Sequence, residues 1–446
     1  MIAIQPLAAP AAGAFPSAPS TLEAAGLSTD LITPLLLKAL HFIGEMSGTA
    51  LARQVGLRYS AIEPLLQQLK LTHLVEIAGG GLTGGPAFMY RLTDAGRARA
   101  MLFLEQSQYV GVAPVPLADY NAYMQQFVAT MPRTATRERV RRAFRHLVLS
   151  DRVLDQLGPA VNGGHSIFIY GPPGNGKTVI SQALRELLDG ELLIPHAIVS
   201  DGHIIKVFDV ETHERVSRAP HAAGIVVDDY EFDARWVRCR RPLITIGGEL
   251  ELSQFDLSFE PLSKVYQAPL QLTANGGLLI VDDFGRQTCS PAAMLNRWIT
   301  PLESRVDFLT LLTGQKVSVA FAVLVVFATN LRPAELLDEA FLRRIHYKVF
   351  AENPTLVDFK NIFRRRCDEL GLEFEETLVD GIVRNVFRAR GIALRATHPR
   401  DLIDHALALA SYASLERRLT APLLQSACDS YFVNDPGPDG AAAWDR

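Results

Sequence analysis

One eight-residue stretch, Gly171-Pro172-Pro173-Gly174-Asn175-Gly176-Lys177-Thr178, restricts what this chain can fold into more than any other. It follows the apolar run Ser166-Ile-Phe-Ile-Tyr170 and leads into Val179-Ile-Ser-Gln-Ala-Leu-Arg-Glu-Leu-Leu188. The order is strand, glycine loop, helix, the setting that a phosphate-binding loop requires. Glycines let the backbone curl until several N–H groups point at one phosphate chain, and the positive end of the following helix adds to them. Lys177 is placed to reach the β- and γ-phosphates, where one charge pair at about 4 Å contributes roughly 4 kcal/mol. The Thr178 hydroxyl is placed to meet Mg²⁺.

Two further strand patterns fit the same sheet. Between Gly163 and about Glu352, apolar runs alternate with helical patterns, as a parallel sheet requires. Gly276-Gly-Leu-Leu-Ile-Val-Asp-Asp-Phe-Gly285 is a buried strand that ends in two carboxylates, and ligands of open α/β sheets bind at that end of the strands. Asp282 would hold Mg²⁺ through water, and Asp283 would orient and polarise an attacking water. Val323-Leu-Val-Val-Phe-Ala-Thr-Asn330 is a second such strand, with Asn330 placed to hydrogen-bond a γ-phosphate or that water. The longest apolar run, Val317 to Ala328, is rich in β-branched residues and reads as a buried strand.

The order of loop, acidic strand and Asn-terminated strand resembles the AAA+ ATPases, over about Arg137 to Tyr431. The resemblance implies a P-loop α/β parallel-sheet core with a C-terminal helical lid, ATP and Mg²⁺ as cofactors, and a homo-oligomer, such as a ring, hydrolysing ATP at subunit interfaces. Leu337-Asp-Glu-Ala-Phe-Leu-Arg-Arg-Ile345 resembles the segment that carries the family's arginine finger, which points to Arg344 rather than Arg343. Thr397-His-Pro-Arg-Asp-Leu402 resembles the start of the lid helix and makes Arg400 the sensor-2 arginine. By the same resemblance Gly171 to Thr178 and Arg400 hold ATP, Thr178 and Asp282 hold Mg²⁺, and Lys177, Asp283, Asn330 and Arg344 act in hydrolysis. Asp283 stands where Glu is commoner, one methylene longer. The interval between Thr178 and Asp282 is also long. Leu272-Thr-Ala-Asn-Gly-Gly-Leu-Leu-Ile280 resembles the lead-in of the MoxR, magnesium-chelatase and enhancer-binding branches, which carry insertions that touch a remodelled partner. Residues 192–271 are therefore read as an elaborated insertion.

The remaining chain divides around this core. Residues 1–24 form an uncharged start rich in Ala and Pro, read as a disordered tail, apart from Glu23 near its end. Residues 25–106 carry three helical patterns, a hairpin pattern around the glycines from Gly79 to Gly85, and a last helix with Asp94 as its cap. This order, closing on Tyr90-Arg-Leu-Thr-Asp-Ala-Gly96, resembles a winged helix-turn-helix domain. Arg91, Arg97 and Arg99 are candidates for phosphate contact, but Glu63 and Pro64 dilute the third helix, so DNA binding and protein docking both stay open. Residues 107–136 read as a linker, 137–352 as the nucleotide-binding domain, 353–432 as the helical lid and 433–446 as a disordered tail.

Arg137, Arg139, Arg141, Arg142 and Arg145 share one helical stretch and read as a solvated basic face, or as one that meets nucleotide or a neighbouring subunit. Arg238, Arg240 and Arg241 form a second basic patch. His203, His213 and His221, with Asp201 and Asp209, lack metal-ligand spacing.

A net charge of −4 and a pI near 6.3 give no global signature for nucleic acid or an acidic membrane. The four cysteines form no CxxC pair, and no apolar run reaches the roughly 18 residues of a membrane span. The expectation is a cytoplasmic, chaperone-like ATPase that remodels an unknown protein client, with no membrane insertion. The alternatives are an ATP-dependent DNA-binding transcription or remodelling factor and a slowly hydrolysing signalling switch.

Overall fold

The computed structural model describes residues 16–79, 84–131, 134–216, 232–332 and 343–432. Residues 1–15 of the N-terminal stretch, residues 80–83 of the glycine-rich turn, His221, residues 337–342 and residues 433–446 all lie outside them. The chain begins with α1 (Thr29–Ile43), β1 (Met46–Ser47), α2 (Gly48–Val55), α3 (Tyr59–Leu71), β2 (Val75–Gly79), β3 (Met89–Leu92) and α4 (Asp94–Gln106). It continues through β4 (Val115–Pro116), α5 (Leu117–Thr130), α6 (Arg137–Ala143), α7 (Asp151–Gly163), β5 (Ile167–Tyr170) and α8 (Lys177–Ala183). Next come β6 (Glu191–Pro195), β7 (Ala197–Ser200), β8 (His203–Lys206), β9 (Trp236–Arg240), β10 (Leu243–Ile246), β11 (Ser258–Glu260), β12 (Val265–Gln267) and α9 (Leu270–Thr273). The last described elements are β13 (Leu278–Val281), α10 (Pro291–Ser304), β14 (Val306–Thr310), β15 (Lys316–Ala320), β16 (Leu324–Thr329), β17 (Tyr347–Phe350), α11 (Leu356–Leu370), α12 (Glu376–Ile382), α13 (His398–Tyr412) and α14 (Ala421–Tyr431).

A five-stranded sheet has the order β10-β13-β16-β5-β17, and its registered pairs β10/β13, β16/β5 and β17/β5 are parallel. β13 and β16 are buried at every position, as strands covered on both faces must be. The apolar run Val317–Ala328 is not one strand. It breaks after Ala320, and β15 pairs antiparallel with β14 with burial alternating along it, whereas β16 is buried throughout. Composition is similar on both sides of the break; only the period distinguishes a one-faced strand from a two-faced one.

By Cα proximity the described residues fall into two units. The first takes its residues from 1–133, 188–281 and 286–325. Its N-terminal part packs Leu35, Leu36, Leu51, Val55, Ile62 and Leu66 into one core beside the sheet β1-β3-β2. Thr93, rather than Asp94, caps α4, its Oγ1 accepting from Gly96 N at 3.0 Å. Gly96 is required by close approach, since a Cβ there would lie 1.9 Å from the Leu74 carbonyl oxygen.

Two expectations change in this unit. The tail ends earlier than residue 24: Pro16 accepts from Asp233 N at 2.9 Å, and the buried Arg235 donates to the Ala25 carbonyl while paired to the buried Asp233. The stretch 107–136 is more than a linker. β4 pairs with β7, and α5 sends Tyr120 and Met124 into a core shared with Ile198, Ile205, Trp236, Leu309 and Val317. Within residues 192–271, β7, β8, β11 and β12 join β4 in the sheet β11-β12-β8-β7-β4, β6 pairs antiparallel with β9, and β10 belongs to the five-stranded sheet.

The second unit takes its residues from 134–187, 282–285 and 326–446. It holds β5, the glycine loop, α8, the two acids, β17 and four C-terminal helices, α11 to α14, whose core includes Phe359, Phe363, Phe387, Leu402 and Leu424. α12 runs directly into a π-helical turn, Val383–Arg388.

Candidate functional site

All site residues lie in the second unit and are built outward from β5. Its residues Ile167, Phe168 and Ile169 are fully buried, which fixes where the glycine loop begins. Gly171 has φ +149°, and a Cβ there would come 2.5 Å from the Ala351 carbonyl oxygen, so the close approach of β17 excludes any side chain. The loop ends at Gly176, in the left-handed region at φ +72°, and α8 begins at Lys177.

Lys177 is buried and folds back on its own loop: Nζ donates to the Gly171 and Pro172 carbonyls at 3.1 and 2.9 Å. Burial lowers its pKa, the charges of Asp283 and Asp282 oppose that shift, and Arg395 adds to it. The Thr178 hydroxyl donates to Asp282 Oδ2 at 2.6 Å. Asp282 Oδ1 accepts from Asp283 N at 3.0 Å, and Asn330 Nδ2 donates to Asp283 Oδ1 at 3.0 Å. Loop hydroxyl, first acid, second acid and asparagine thus form one connected chain.

The turn that carries the acids is clamped. Phe284 donates its N–H to Ala328 O at 2.7 Å, and its carbonyl accepts from Thr329 Oγ1 at 2.6 Å. Its ring packs edge-on to Phe168 and Phe327. Asp283 itself sits at φ +47°, a conformation that costs about 1–3 kcal/mol for a residue other than glycine. The clamp holds that strained residue in place.

Asn175 reads in the sequence as one more loop residue, but its side chain is buried and spent on structural hydrogen bonds. Nδ2 donates to Ala351 O at 3.2 Å and to Asn353 Oδ1 at 2.9 Å, and Oδ1 accepts from Ala396 N at 3.4 Å. Thr397 N donates to Gly174 O at 2.9 Å. Arg395 donates to the same Asn353 oxygen. These bonds join the loop to the stretch that leads into helix α13. Asn353 and Arg395 were not singled out from the sequence; Arg395, five residues before Arg400, was the available signal. Asn175→Asp would set a carboxylate against two acceptor oxygens and is expected to cost about 1–3 kcal/mol in a urea melt, while Asn175→Ser, with a donor retained, costs less.

A cavity of about 250 Å³ opens beside the loop, lined by His146, Val148, Gly176, Ile180, Arg366 and Arg400 among others. Arg365 on α11 donates to the Arg145 and Leu147 carbonyls and fastens one wall. Arg400 is exposed at the rim and paired to Asp401 at 3.2 Å. Arg344 is half-buried beside the buried Ile345 and is not among the cavity's lining residues.

The basic clusters are engaged locally. Arg137 pairs with Asp155, Arg141 with Asp151 and Arg142 with Glu138. Arg238 and Arg240 pair with Glu191 and Glu214, and the buried Arg241 donates to Gly276 O at 2.6 Å. His213 lies between Asp209 N and Thr273 O, in a structural role. Among the described residues no group of three or more His, Cys, Asp or Glu side chains is placed to hold a metal.

Loop, sheet order, paired acids and Asn-terminated strand together define an α/β P-loop fold of the AAA+ type. Residues 150–223 match the family model described as magnesium chelatase, subunit ChlI, and residues 355–430 match one described as a domain of unknown function (DUF8689). No curated protein matches the chain. Among solved structures, the RuvB Holliday junction branch migration motor of Thermotoga maritima is similar at 14% identity, covering 65% of this chain and 72% of that one, with a TM-score of 0.37. NtrX from Brucella abortus in complex with ADP is similar at 12% identity, covering 79% and 70%, with a TM-score of 0.39. Neither likeness carries an argument; the fold class rests on the glycine loop and the sheet above.

Proposed function

We propose that this chain binds and hydrolyses ATP with Mg²⁺ and, as a homo-oligomer, uses the turnover to remodel a protein partner. The observation that carries this is the 2.6 Å bond from Thr178 to Asp282, with Asp283 held next to it by Asn330. A hydroxyl and a carboxylate in contact are hard oxygen donors, and Mg²⁺ is held by one or two such groups plus substrate phosphates rather than by a full protein cage. When bound, the ion neutralises charge on the phosphoryl oxygens.

In this reading Lys177 exchanges the Gly171 and Pro172 carbonyls for the β- and γ-phosphates. The loop N–H groups cradle the phosphate chain, and the cavity beside Val148 and Ile180 takes the nucleoside. Asp283 accepts a hydrogen bond from the attacking water, and Asn330 holds that carboxylate in position. Arg400 closes from the lid side, and Arg344 serves a neighbouring subunit's nucleotide.

Residues 25–106 act as a winged-helix docking module for protein rather than DNA. In support, Arg91 is already paired with Glu45 and Glu76, Arg97 with Asp94, and Arg99 lies over Phe103.

Asp283→Asn tests the hydrolytic assignment. It keeps Asp282 and Thr178, so ATP is expected to bind within about threefold of wild type by calorimetry while phosphate release falls about a hundredfold or more. Undiminished release by this variant would remove Asp283 from its role.

A further inference from the structure

In the first unit, far along the chain from the glycine loop, a cavity of about 480 Å³ lies between α1 and α4 on one side and β8 and β12 on the other. Its size suits a small molecule. Leu31, Pro34, Leu35, Phe103 and Phe259 supply apolar walls. The walls are preformed: Gln108 N donates to Ser263 O at 2.8 Å, and Lys264 Nζ donates to Glu105 O, fastening the β11–β12 turn to the end of α4.

Three polar groups line this cavity with hydrogen-bonding capacity left over among the described residues. Lys38 is 2% exposed, and its ammonium makes one hydrogen bond, to Ser107 O at 3.1 Å, leaving two of its donors unused. The buried Tyr266 hydroxyl accepts from Leu312 N at 3.1 Å, so its own proton remains to be donated. The His203 ring stands edge-on to Tyr266, and its nitrogens have no hydrogen-bond partner among the described residues. Among the described residues no carboxylate is paired with Lys38; Asp30 lines the cavity on the exposed first turn of α1, and Lys264 adds a second cation. Burial alone lowers the Lys38 pKa to about 8. A buried cation without a counter-charge is costly, and an anion placed beside it offsets that cost.

We propose that this cavity binds a small organic carboxylate with an apolar body, its carboxylate on Lys38, Tyr266 and His203 and its body against Leu35, Phe103 and Phe259. One buried ammonium with Asp30 nearby matches a monoanion better than a phosphate dianion. The apolar walls require a body rather than a bare ion.

Benzoate is the probe, titrated into the full-length protein with excess ADP present to occupy the glycine loop, and read by calorimetry and ligand-observed NMR. Benzoate is expected to saturate and to bind at least about tenfold more tightly than benzyl alcohol. Lys38→Met should lose at least about tenfold in benzoate affinity and leave benzyl alcohol unchanged, and Tyr266→Phe should lose severalfold. In a thermal melt without benzoate, Lys38→Met should unfold at or above the wild-type temperature, which shows that lost binding is not lost folding. Failure of benzoate to saturate, equal affinity for the alcohol, or full binding by a folded Lys38→Met would each overturn the proposal.

Discussion

Arg344→Ala is expected to bind ATP close to normally and to hydrolyse it about 10³ to 10⁵ times more slowly. An arginine aimed at a transferring phosphoryl group stabilises charge that grows only in the transition state, so its loss falls on kcat. If that arginine comes from a neighbouring subunit, an isolated chain lacks a complete site. Specific activity of the wild type should then rise with protein concentration as oligomers form. Mixing Arg344→Ala with Lys177→Ala should restore part of the activity, because a mixed interface can join an intact loop to an intact finger. Concentration-independent turnover together with normal activity of Arg344→Ala would assign the finger elsewhere or make the enzyme a monomer.

Lys177→Ala should reduce ATP affinity about a thousandfold, the equivalent of the roughly 4 kcal/mol that one close charge pair contributes at a partly screened site. Two features of the free loop qualify the measurement. Wild-type Lys177 spends two hydrogen bonds on the Gly171 and Pro172 carbonyls, so part of the gain on binding is an exchange of partners. The same bonds are lost in the variant, which leaves those carbonyls to water. Calorimetry with ATP and with ADP separates the contributions: the deficit should be larger for ATP, which carries the γ-phosphate. Equal ATP affinity in wild type and variant would remove Lys177 from the phosphates.

The glycine loop, the acid pair and Asn330 stood out in the sequence because each follows a short strand buried at every position, or at all but the last in β5, and such strands announce where their ends fall. Less local features were not. Asn175 looks like filler in an eight-residue motif, and only the folded chain shows its amide reaching Ala351, Asn353 and Ala396, residues distant in sequence. α5 was hidden because a proline-spaced approach, Tyr109 to Leu117, dominates the reading of its surroundings. Its buried Tyr120 and Met124 are too few to give a clear helical stripe. The break between β15 and β16 was hidden by uniform composition. The anchoring of Pro16 and Ala25 depends on Asp233 and Arg235, and no pattern in either segment predicts that partnership.

The way the chain is threaded has a practical outcome. The acids Asp282 and Asp283 belong to a four-residue visit, Asp282–Gly285, between two long stretches of the other unit. The chain reaches that visit along β13, and α10 follows it. Residues 192–271 cannot therefore be cut out as a cassette, since they hold β10, which pairs along its whole length with β13, the strand that leads to the acids. Neither unit is a contiguous gene fragment, and truncation at residue 133 would strip β4 of its partner β7. Contacts between residues this far apart in sequence must wait for most of the chain to be made, so folding should be slow and largely post-translational.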